Sequence, residues 1–345
     1  MPLTKEARMP VAGVAPRFSL RSASGHDVAL QDLRGQYVVL CFFPRAGAPG
    51  CRQQARGFQA LLPQFSGLDG NVVGISPDSP DALVRFEDGA GLILLSDPDR
   101  AVAKAYGATA PEGRIERATF LLDRAGTVRQ VWRRATGEGH AEEVLAALRS
   151  LHALDGEVNP LIQARRAYRA LSEAPVAREV LERLVEAAHL APSCFNNQPW
   201  RFVIAQGEAL ERVKAALPGG NYWAKRAPAI LALCSHRDLD CKLSDHRDYF
   251  LYGCGMATGM LMVQATQMGL TAHPIAGYDP LAVKDALGIP ADYVLITLIV
   301  AGKPGDVATL SDKHRELELG PRDRKPLSAV LAWNKFGDLN HSEGA

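Results

Sequence analysis

A short polar segment at 154–160 divides this chain into two halves whose hydrophobic patterns differ. Before it, apolar runs of strand length alternate with helix-like stretches, and one such run covers 37–43. After it, helix-like stretches dominate and include a long apolar helix near 245–268. The first pattern predicts an α/β domain with a sheet covered by helices, and the second predicts a helix-rich α+β domain. We therefore divide the 345 residues into domains at 1–153 and 158–345.

The predicted elements of both halves follow from apolar periodicity and from the positions of turn residues. In the first half, strands are predicted at 18–20, 37–43, 71–76, 91–96, 118–123 and 127–133. Helices are predicted there after Cys51, after Ser79, over 99–106 and at 141–153. In the second half we predict helices at 160–170, 177–191, 207–216 and 245–268, and strands at 201–206, 228–235 and 293–302.

Composition and charge argue against several classes of protein. The net charge of +1 gives no electrostatic reason to expect a nucleic-acid partner. The N-terminus lacks an apolar core of signal-peptide length, and the apolar stretch at 249–263 is shorter than the ~20 residues that a membrane helix needs. We therefore expect a cytoplasmic protein with no membrane partner. The six cysteines show neither CxxC nor zinc-finger spacing, so we expect free thiols and no metal.

One cysteine stands at a position that can activate a thiol. Cys51 follows Pro49 and Gly50, after the strand at 37–43, at the predicted start of a helix. A helix N-terminus carries partial positive charge and free N–H groups, which lower a thiol pKa and raise its thiolate fraction. Arg117 begins a predicted strand that could run beside 37–43, where its guanidinium could hold the thiolate. A merely structural cysteine at a helix start is the alternative interpretation.

The surroundings of Cys51 resemble the peroxiredoxins of the bacterioferritin-comigratory, or Q, type within the alkyl hydroperoxide reductase and thiol-specific antioxidant family. The resemblance covers about 10–150 and runs through LLSDPDRAVAKAYGA and RATFLLDRAGTV. It implies a thioredoxin fold, with Cys51 as the peroxidatic cysteine, Pro44 shielding it and Arg117 activating it. An antioxidant activity toward peroxides is the function that this resemblance implies.

Two positions depart from the pattern of that family. Ala48 stands where a hydroxyl normally orients the peroxide, and Arg56 stands where a resolving cysteine is frequent. Because no other cysteine lies between 52 and 150, oxidised Cys51 would need an external thiol or help from the second half of the chain. The alternative is a degenerate thioredoxin-fold domain that serves only in binding.

The second half carries two groups of arginines and a polar loop. Arg165, Arg166 and Arg169 lie together at a predicted helix start, and Arg322 and Arg324 form a second group far along the chain. Arginine presents a planar fork to phosphate oxygens, so the two groups could converge on one phosphate; a solvated surface is the alternative.

The polar loop lies between a predicted helix and a predicted strand. The loop at 192–200 reads PSCFNNQPW, and its amides can donate and accept hydrogen bonds at once, as the edge of a flavin requires. An ordinary polar turn is the other interpretation of that loop.

Together these segments resemble the FMN-dependent nitroreductase family across about 158–338. The resemblance runs through RRAYRAL, AAHLAPSCFNNQPWRFVI, GLTAHPIAGYDP and RKPLSAVLAWNKFG. It implies an FMN cofactor, NADH or NADPH as the electron donor, a small-molecule acceptor and a homodimer with FMN at its interface. Carried over by matching position, the cofactor-binding residues are Arg165, Arg166, Ala167, Arg169, Ser193, Cys194, Asn196, Pro274, Ile275, Gly277, Arg322 and Arg324. Ala167 departs from the family serine and removes one hydroxyl contact to the phosphate.

The two resemblances predict an α/β thioredoxin-like domain followed by an α+β nitroreductase-like domain. The leading hypothesis is an FMN-dependent NAD(P)H oxidoreductase fused to a thiol domain that reduces peroxides through Cys51. Because a resolving cysteine is missing, reduced flavin or a thiol near it, such as Cys194, could recycle Cys51. In the alternative hypothesis, only the second half is catalytic and the first is a docking or redox-sensing module.

Overall fold

The computed structural model describes residues 13–86, 91–133, 135 and 138–336, and the chain forms two compact units. The first unit comprises Met1–Glu157 and the second comprises Val158–Ala345. Among the described residues, no helix combines the length and the apolar character needed to cross a membrane.

The first unit is built on a seven-stranded mixed sheet. Its strands are β1 (Ser19–Ser22), β2 (Asp27–Ala29), β3 (Tyr37–Phe42), β4 (Gly70–Ser76), β5 (Ile93–Ser96), β6 (Ala118–Leu122) and β7 (Val128–Arg133). Its α-helices are α1 (Pro49–Ser66), α2 (Pro80–Val84), α3 (Ala101–Ala105) and α4 (His140–His152). The strand order is β2-β1-β5-β4-β3-β6-β7, with β3 parallel to β4 and antiparallel to β6.

The interior strand β3 is buried over its whole length because both faces of the sheet are covered. Val39 and Cys41 face a core that Phe58 of α1 and Leu148 of α4 complete, whereas Phe42 faces the opposite core. A strand buried on both faces needs a continuous apolar run, and this need explains why the sequence predicted β3. Because the end of β3 pairs with the start of β6, the helix α1 that follows β3 begins near the start of β6.

The second unit is built on a four-stranded antiparallel sheet. Its strands are β8 (Arg201–Ala205), β9 (Ala229–Ser235), β10 (Thr271–Ile275) and β11 (Val294–Gly302), in the order β10-β11-β9-β8. Its α-helices are α5 (Pro160–Ala164), α6 (Arg178–His189), α7 (Gly207–Ala215), α8 (Phe250–Gln267), α9 (Pro280–Leu287) and α10 (Asp312–Leu319). Alternate side chains of β9 enter two cores: Leu231 packs with Leu184 of α6 and Leu261 of α8, and Ile230 packs with Val213 of α7.

The prediction of one helix over 160–170 was wrong, because α5 ends at Ala164. The carboxylate of the buried Glu318 accepts the backbone N–H of Arg169 at 3.0 and 2.9 Å and that of Ala170 at 2.9 Å. Those N–H groups are therefore unavailable to a continuing helix. The arginines from Arg165 onward follow a helix instead of beginning one.

Two strands of the structure, β2 and β10, had no counterpart in the prediction. β2 has only three residues, and β10 contains Pro274, which cannot donate to a strand neighbour. The structure accommodates Pro274 because β10 lies at the edge of its sheet and pairs only with β11.

Candidate functional site

Cys51 lies in the first turn of α1, the helix that follows strand β3 and its loop. Its backbone N–H donates to the Ala48 carbonyl at 2.9 Å, which closes the first turn. The residue is only 5% exposed and belongs to an apolar cluster with Phe43 and Phe86. The thiol is thus held at a helix start and largely screened from water.

Arg117 reaches this helix start, as the sequence suggested. β6 runs antiparallel to β3, with Ala118 opposite Phe42, and Arg117 immediately precedes it. A Cβ atom added to Gly50 would collide with the Arg117 guanidinium, so that cation lies against the residue before Cys51. The absence of a side chain at Gly50 makes this approach feasible.

Asp78 is a residue of this site that sequence reasoning missed. Its Oδ2 accepts the Ala46 N–H at 2.6 Å and the Ser76 hydroxyl at 2.8 Å. The carboxylate therefore fixes the loop between β3 and α1, the loop that contains the half-exposed Pro44. The available signal was that Asp78 lies two residues after the end of the buried strand β4, because ends of parallel strands meet at one edge of a sheet.

The pKa of the Cys51 thiol is raised, whereas the position at a helix start led us to expect a lowered pKa. Burial raises the pKa of the Cys51 thiol above its ordinary value. A hydrogen bond from the Arg45 backbone and the charge of Arg117 lower that pKa, and the charge of Asp78 raises it. The net direction is upward, so the expected activation by the helix N-terminus does not overcome the loss of solvation.

Ala48 is the N-cap residue of α1 and offers no side-chain hydrogen bond there. The hydroxyl that resemblance associates with this position is therefore missing from the loop that faces Cys51. Arg56, where a resolving cysteine is frequent, lies within α1.

The two arginine groups of the second unit do meet in the structure. The Nη2 atom of Arg322 donates to the carbonyl of Gln163 at 2.6 Å and also to the carbonyl of Arg165. The pKa of Arg165 is lowered, first by burial and then by the charges of Arg322 and Arg324. We name Arg165, Arg322 and Arg324 the arginine cluster. Its members come from positions 157 residues apart and repel one another, so the cluster favours an anion.

Arg166 and Arg169, which the sequence placed in the same role, make other contacts. Arg166 donates to the carbonyls of Gly320 at 2.7 Å and Leu317 at 3.2 Å, at the end of α10. The guanidinium of Arg169 lies 5.9 Å from the ring centroid of Trp223, in a cation–π contact. Together with Glu318, Arg166 ties α10 to the segment after α5, and this tie brings the arginine cluster together.

His273 is a second residue that the sequence analysis did not select. Its Nδ1 lies 2.9 Å from the Tyr168 carbonyl, and its ring centroid lies 4.6 Å from that of Trp223. Burial lowers the pKa of His273 to about 4, so its ring is neutral near pH 7. The buried ring supports the backbone beside Arg169 without adding charge to it.

The polar loop at 193–198 has an unusual backbone. Phe195, Asn196 and Gln198 have φ values of 46°, 58° and 51°, in the left-handed region that residues other than glycine seldom adopt. The Gln198 N–H donates to Ser193 Oγ at 2.9 Å, and its side-chain amide donates to the Asn196 carbonyl at 2.8 Å. Strained backbone of this kind persists where surrounding contacts determine it, often at binding sites.

Cys194 is not a free thiol, which corrects the expectation from the sequence. It forms a disulfide with Cys241, 47 residues further along, with 6.2 Å between the Cα atoms. Sequence spacing could not reveal this pair, because the fold alone brings the 193–198 loop beside the segment after β9. The hypothesis that a free Cys194 thiol recycles Cys51 therefore does not describe this state of the protein.

A cavity of about 500 Å³ adjoins the loop and is lined by Ser193, Cys194, Asp240, Arg247 and Tyr252, among others. The remaining predicted residues lie in or after β10: Pro274 and the buried Ile275 belong to the strand, and the exposed Gly277 follows it. The Gly277 carbonyl accepts a hydrogen bond from Asn221 Nδ2 at 2.7 Å.

The predicted cofactor residues lie on different segments of the second unit: the arginine cluster, the 193–198 loop and the segment around β10. Within the described part of the chain, no hydrogen bond joins the 193–198 loop to the arginine cluster. The apolar side chain of Ala167 offers no hydroxyl between Arg166 and Arg169.

Comparisons with known proteins match both halves of the chain. The AhpC/TSA family matches residues 11–131, and the Nitroreductase family matches residues 162–221 and 213–303. The Mycobacterium tuberculosis protein named "Putative peroxiredoxin MT2597" is 39% identical over 151 residues, which are 41% of this chain and 96% of that protein. Peroxiredoxin Bcp of Bacillus subtilis is 32% identical over 146 residues, covering 40% of this chain and 93% of that protein.

Solved structures resemble each half as well. A Xanthomonas campestris bacterioferritin comigratory protein is 33% identical, with 39% of this chain and 92% of that chain covered and a TM-score of 0.38. An oxidoreductase described as containing FMN is 30% identical, with 53% of this chain and 94% of that chain covered and a TM-score of 0.48.

Each family match falls within one of the two units: the AhpC/TSA match lies in the first and the Nitroreductase match in the second. The thioredoxin-like fold of the first and the nitroreductase-like fold of the second confirm the predicted fold classes, and both families consist of oxidoreductases. The chain belongs to the peroxiredoxins of the AhpC/TSA family through its N-terminal domain and to the nitroreductase family through its C-terminal domain.

Proposed function

We propose that the C-terminal domain binds FMN and oxidises NADH or NADPH, with a small molecule as the final electron acceptor. The observation that carries this proposal is the arginine cluster. Arg322 donates to the carbonyls of Gln163 and Arg165, which lie 159 and 157 residues before it in the chain, and the charges of Arg322 and Arg324 both act on Arg165. Bound FMN would supply the chemistry of accepting a hydride and passing on two electrons.

The phosphate of FMN suits the chemistry of the arginine cluster. Both charged groups that shift the pKa of Arg165 are cations, Arg322 and Arg324. A phosphate dianion would relieve this repulsion and accept charge-assisted hydrogen bonds from several guanidinium groups at once. Mutual repulsion of this kind raises the free energy of the folded protein unless an anion offsets it.

The donors of the 193–198 loop suit the isoalloxazine ring. Ser193 carries a hydroxyl and Asn196 an amide, and such groups match the mixed donors and acceptors of a flavin edge. The Gly277 backbone, exposed after β10, is the counterpart that we propose for the opposite side.

A homodimer would unite these groups, and we propose one. In this arrangement one protomer supplies the arginine cluster and the partner copy supplies the 193–198 loop; within the described part of one chain, no hydrogen bond joins the two. Exposed apolar side chains favour the same arrangement: Phe195 is 90% exposed, Tyr252 of α8 59% and Trp333 74%. Exposed apolar groups of this size are frequent at subunit interfaces.

FMN binding can be measured by the quenching of flavin fluorescence as protein is added. We expect Arg165→Ala and Arg322→Ala each to weaken binding by about tenfold or more, since each removes a charge-assisted hydrogen bond worth ~1.5–3 kcal/mol. Arg183→Ala is the matched control, because Arg183 lies on the exposed side of α6 and pairs with Glu186 at 2.8 Å. Equal affinity in all four proteins would contradict the proposal.

For the N-terminal domain we propose peroxide reduction by Cys51. The thiolate would attack the peroxide oxygen, forming a sulfenic acid and releasing water or an alcohol. An external thiol would then reduce the sulfenic acid through a mixed disulfide. The observation in favour is the position of Cys51 in the first turn of α1 with the Arg117 guanidinium beside it.

Peroxide consumption in the presence of dithiothreitol tests this activity. We expect the full-length protein to consume peroxide and Cys51→Ser to lose that activity, while Cys234→Ser, a buried cysteine of β9, retains it. Equal rates in the wild type and in Cys51→Ser would instead support the second candidate, a docking or redox-sensing domain.

A further inference from the structure

We propose that the Cys194–Cys241 disulfide is a thiol–disulfide exchange site that low-molecular-weight thiols reduce in the folded protein. The bond links the 193–198 loop to the segment after β9, across 47 residues of sequence. The proposal rests on three observations at this bond: an unpaired buried carboxylate oxygen, access for small molecules and backbone strain beside one of the cysteines.

Asp240 provides the first observation. It is only 8% exposed, and its Oδ2 is buried without a hydrogen-bond partner among the described residues. Its Oδ1, in contrast, accepts the Cys241 N–H at 2.9 Å and the Asn197 side-chain amide at 3.4 Å. The two sulfur atoms and a carboxylate oxygen of Asp240 all lie within 4.8 Å of one another.

An unpaired buried oxygen is unfavourable, and reduction of the disulfide supplies a donor for it. A disulfide has no hydrogen to donate, whereas a cysteine thiol can donate its S–H to a carboxylate. The Asp240 carboxylate has one unpaired buried oxygen and lies within 4.8 Å of both sulfur atoms, so it can accept an S–H from the dithiol that the disulfide cannot supply. An interaction made only by the reduced form makes the disulfide a stronger oxidant.

Access is the second observation. Cys194 and Asp240 line the cavity of about 500 Å³, and Cys241 lines a neighbouring cavity of about 290 Å³. Each cysteine is only partly buried, unlike the four free cysteines. A small thiol can therefore approach the bond without unfolding of the surrounding core.

Backbone strain is the third observation. Phe195 and Asn196, which follow Cys194 directly, have φ values of 46° and 58°. Left-handed backbone at residues other than glycine costs free energy, and the cost is smaller for asparagine than for phenylalanine. Cleavage of the disulfide removes the covalent tie beside these residues and allows the backbone to relax, which also favours the reduced form.

The exchange proceeds in two balanced steps. The thiolate of one small thiol attacks Cys194 Sγ, the bond to Cys241 breaks, and Cys241 takes up a proton beside Asp240. A second small thiol attacks the mixed disulfide and releases Cys194 as a thiol. Two small thiols are oxidised to one disulfide, and two electrons and two protons reach the protein pair.

The test equilibrates the native full-length protein in buffers of reduced and oxidised glutathione. Reduced cysteines are then alkylated, and mass spectrometry of the peptides containing Cys194 and Cys241 gives the reduced fraction. We expect a substantial reduced fraction at the glutathione ratio of a reducing cytosol, where structural disulfides stay oxidised. Asp240→Asn removes the negative charge and replaces one carboxylate oxygen with an N–H₂ donor, which weakens acceptance of the S–H, so we expect it to shift the equilibrium toward the disulfide by about tenfold.

Asp238→Asn is the matched control, since Asp238 is exposed, lies in the same segment and pairs with Lys242; we expect it to leave the equilibrium unchanged. A pair that stays oxidised at every glutathione ratio until denaturant is added would overturn the proposal. Two thiols that oxidised glutathione never joins, or that hold a stoichiometric zinc ion, would also overturn it. The wild-type titration decides the question even if Asp240→Asn fails to fold, and its readout does not depend on FMN binding.

Discussion

Cys51 shows how a correctly located residue can have unexpected energetics. The sequence placed it at a helix start near Arg117, and the structure agrees. The sequence did not indicate that Phe43 and Phe86 enclose the thiol, because these side chains meet it only in the folded domain. Burial therefore dominates the pKa, and the nearby positive charge offsets that effect only in part.

The raised pKa of Cys51 predicts a steep pH dependence of peroxide reduction. The thiolate is the nucleophile, and its fraction grows about tenfold per pH unit below the pKa. Because the pKa lies above the ordinary value of 9.0, the second-order rate should still rise between about pH 7 and about pH 9. Stopped-flow measurement of the first turnover checks this expectation.

Arg117→Met should lower that rate at each pH in this range, since Arg117 lowers the Cys51 pKa. The control is Arg129→Met. Arg129 lies on β7, and its exposed guanidinium pairs with Asp123 at 2.7 Å. A rate that is flat across the range, or equal in both variants, would contradict the assignment of the electrostatic roles.

Ala48→Ser should increase the rate of peroxide reduction. The substitution returns a hydroxyl to the N-cap of α1, where one hydrogen bond to the peroxide in the transition state would contribute ~1 kcal/mol, or about fivefold in rate. The same assay with Ala46→Ser, a substitution in the same loop, gives the control. A slower Ala48→Ser enzyme would show that a hydroxyl at this position does not stabilise the transition state of peroxide reduction.

Among the elements, α10 and the segment after α5 have the largest effect on the second site. Arg166 donates to carbonyls at the end of α10, and Glu318 of α10 accepts N–H groups of Arg169 and Ala170. These contacts bring Arg322 to Arg165 and explain why two distant groups of arginines meet.

Glu318→Ala should destabilise the C-terminal domain by about 2–4 kcal/mol, because the partly buried N–H of Arg169 and the buried N–H of Ala170 would lose their acceptor. Urea denaturation followed by circular dichroism measures the change. Glu316→Ala, on the exposed side of the same helix, should change the free energy of unfolding by less than ~0.5 kcal/mol. Equal stability of the two variants would show that Glu318 does not hold the segment.

The elements also show what a single sequence can and cannot predict. Fully buried strands such as β3 and β9 and the long helix α8 were predicted because apolar periodicity is a local signal. The helix over 160–170 was wrong because Glu318, about 150 residues away, captures its N–H groups. The Cys194–Cys241 bond likewise depends on contacts between distant segments, which local patterns do not encode.

As a whole, the molecule consists of two units with separate sheets and cores, and each unit belongs to its own oxidoreductase family. Each of the two candidate sites lies within a single unit: Cys51 with Arg117 and Asp78 in the first, and the arginine cluster in the second. The proposed homodimer concerns the second unit, where exposed apolar side chains such as Tyr252 and Trp333 would be covered.

Size-exclusion chromatography of the protein saturated with FMN, with light scattering and visible absorption recorded together, tests the FMN-binding homodimer most directly. We expect a peak with twice the mass of one chain and the flavin spectrum, and one FMN per chain released on denaturation. A colourless peak with the mass of a single chain, after incubation with excess FMN, would contradict this proposal.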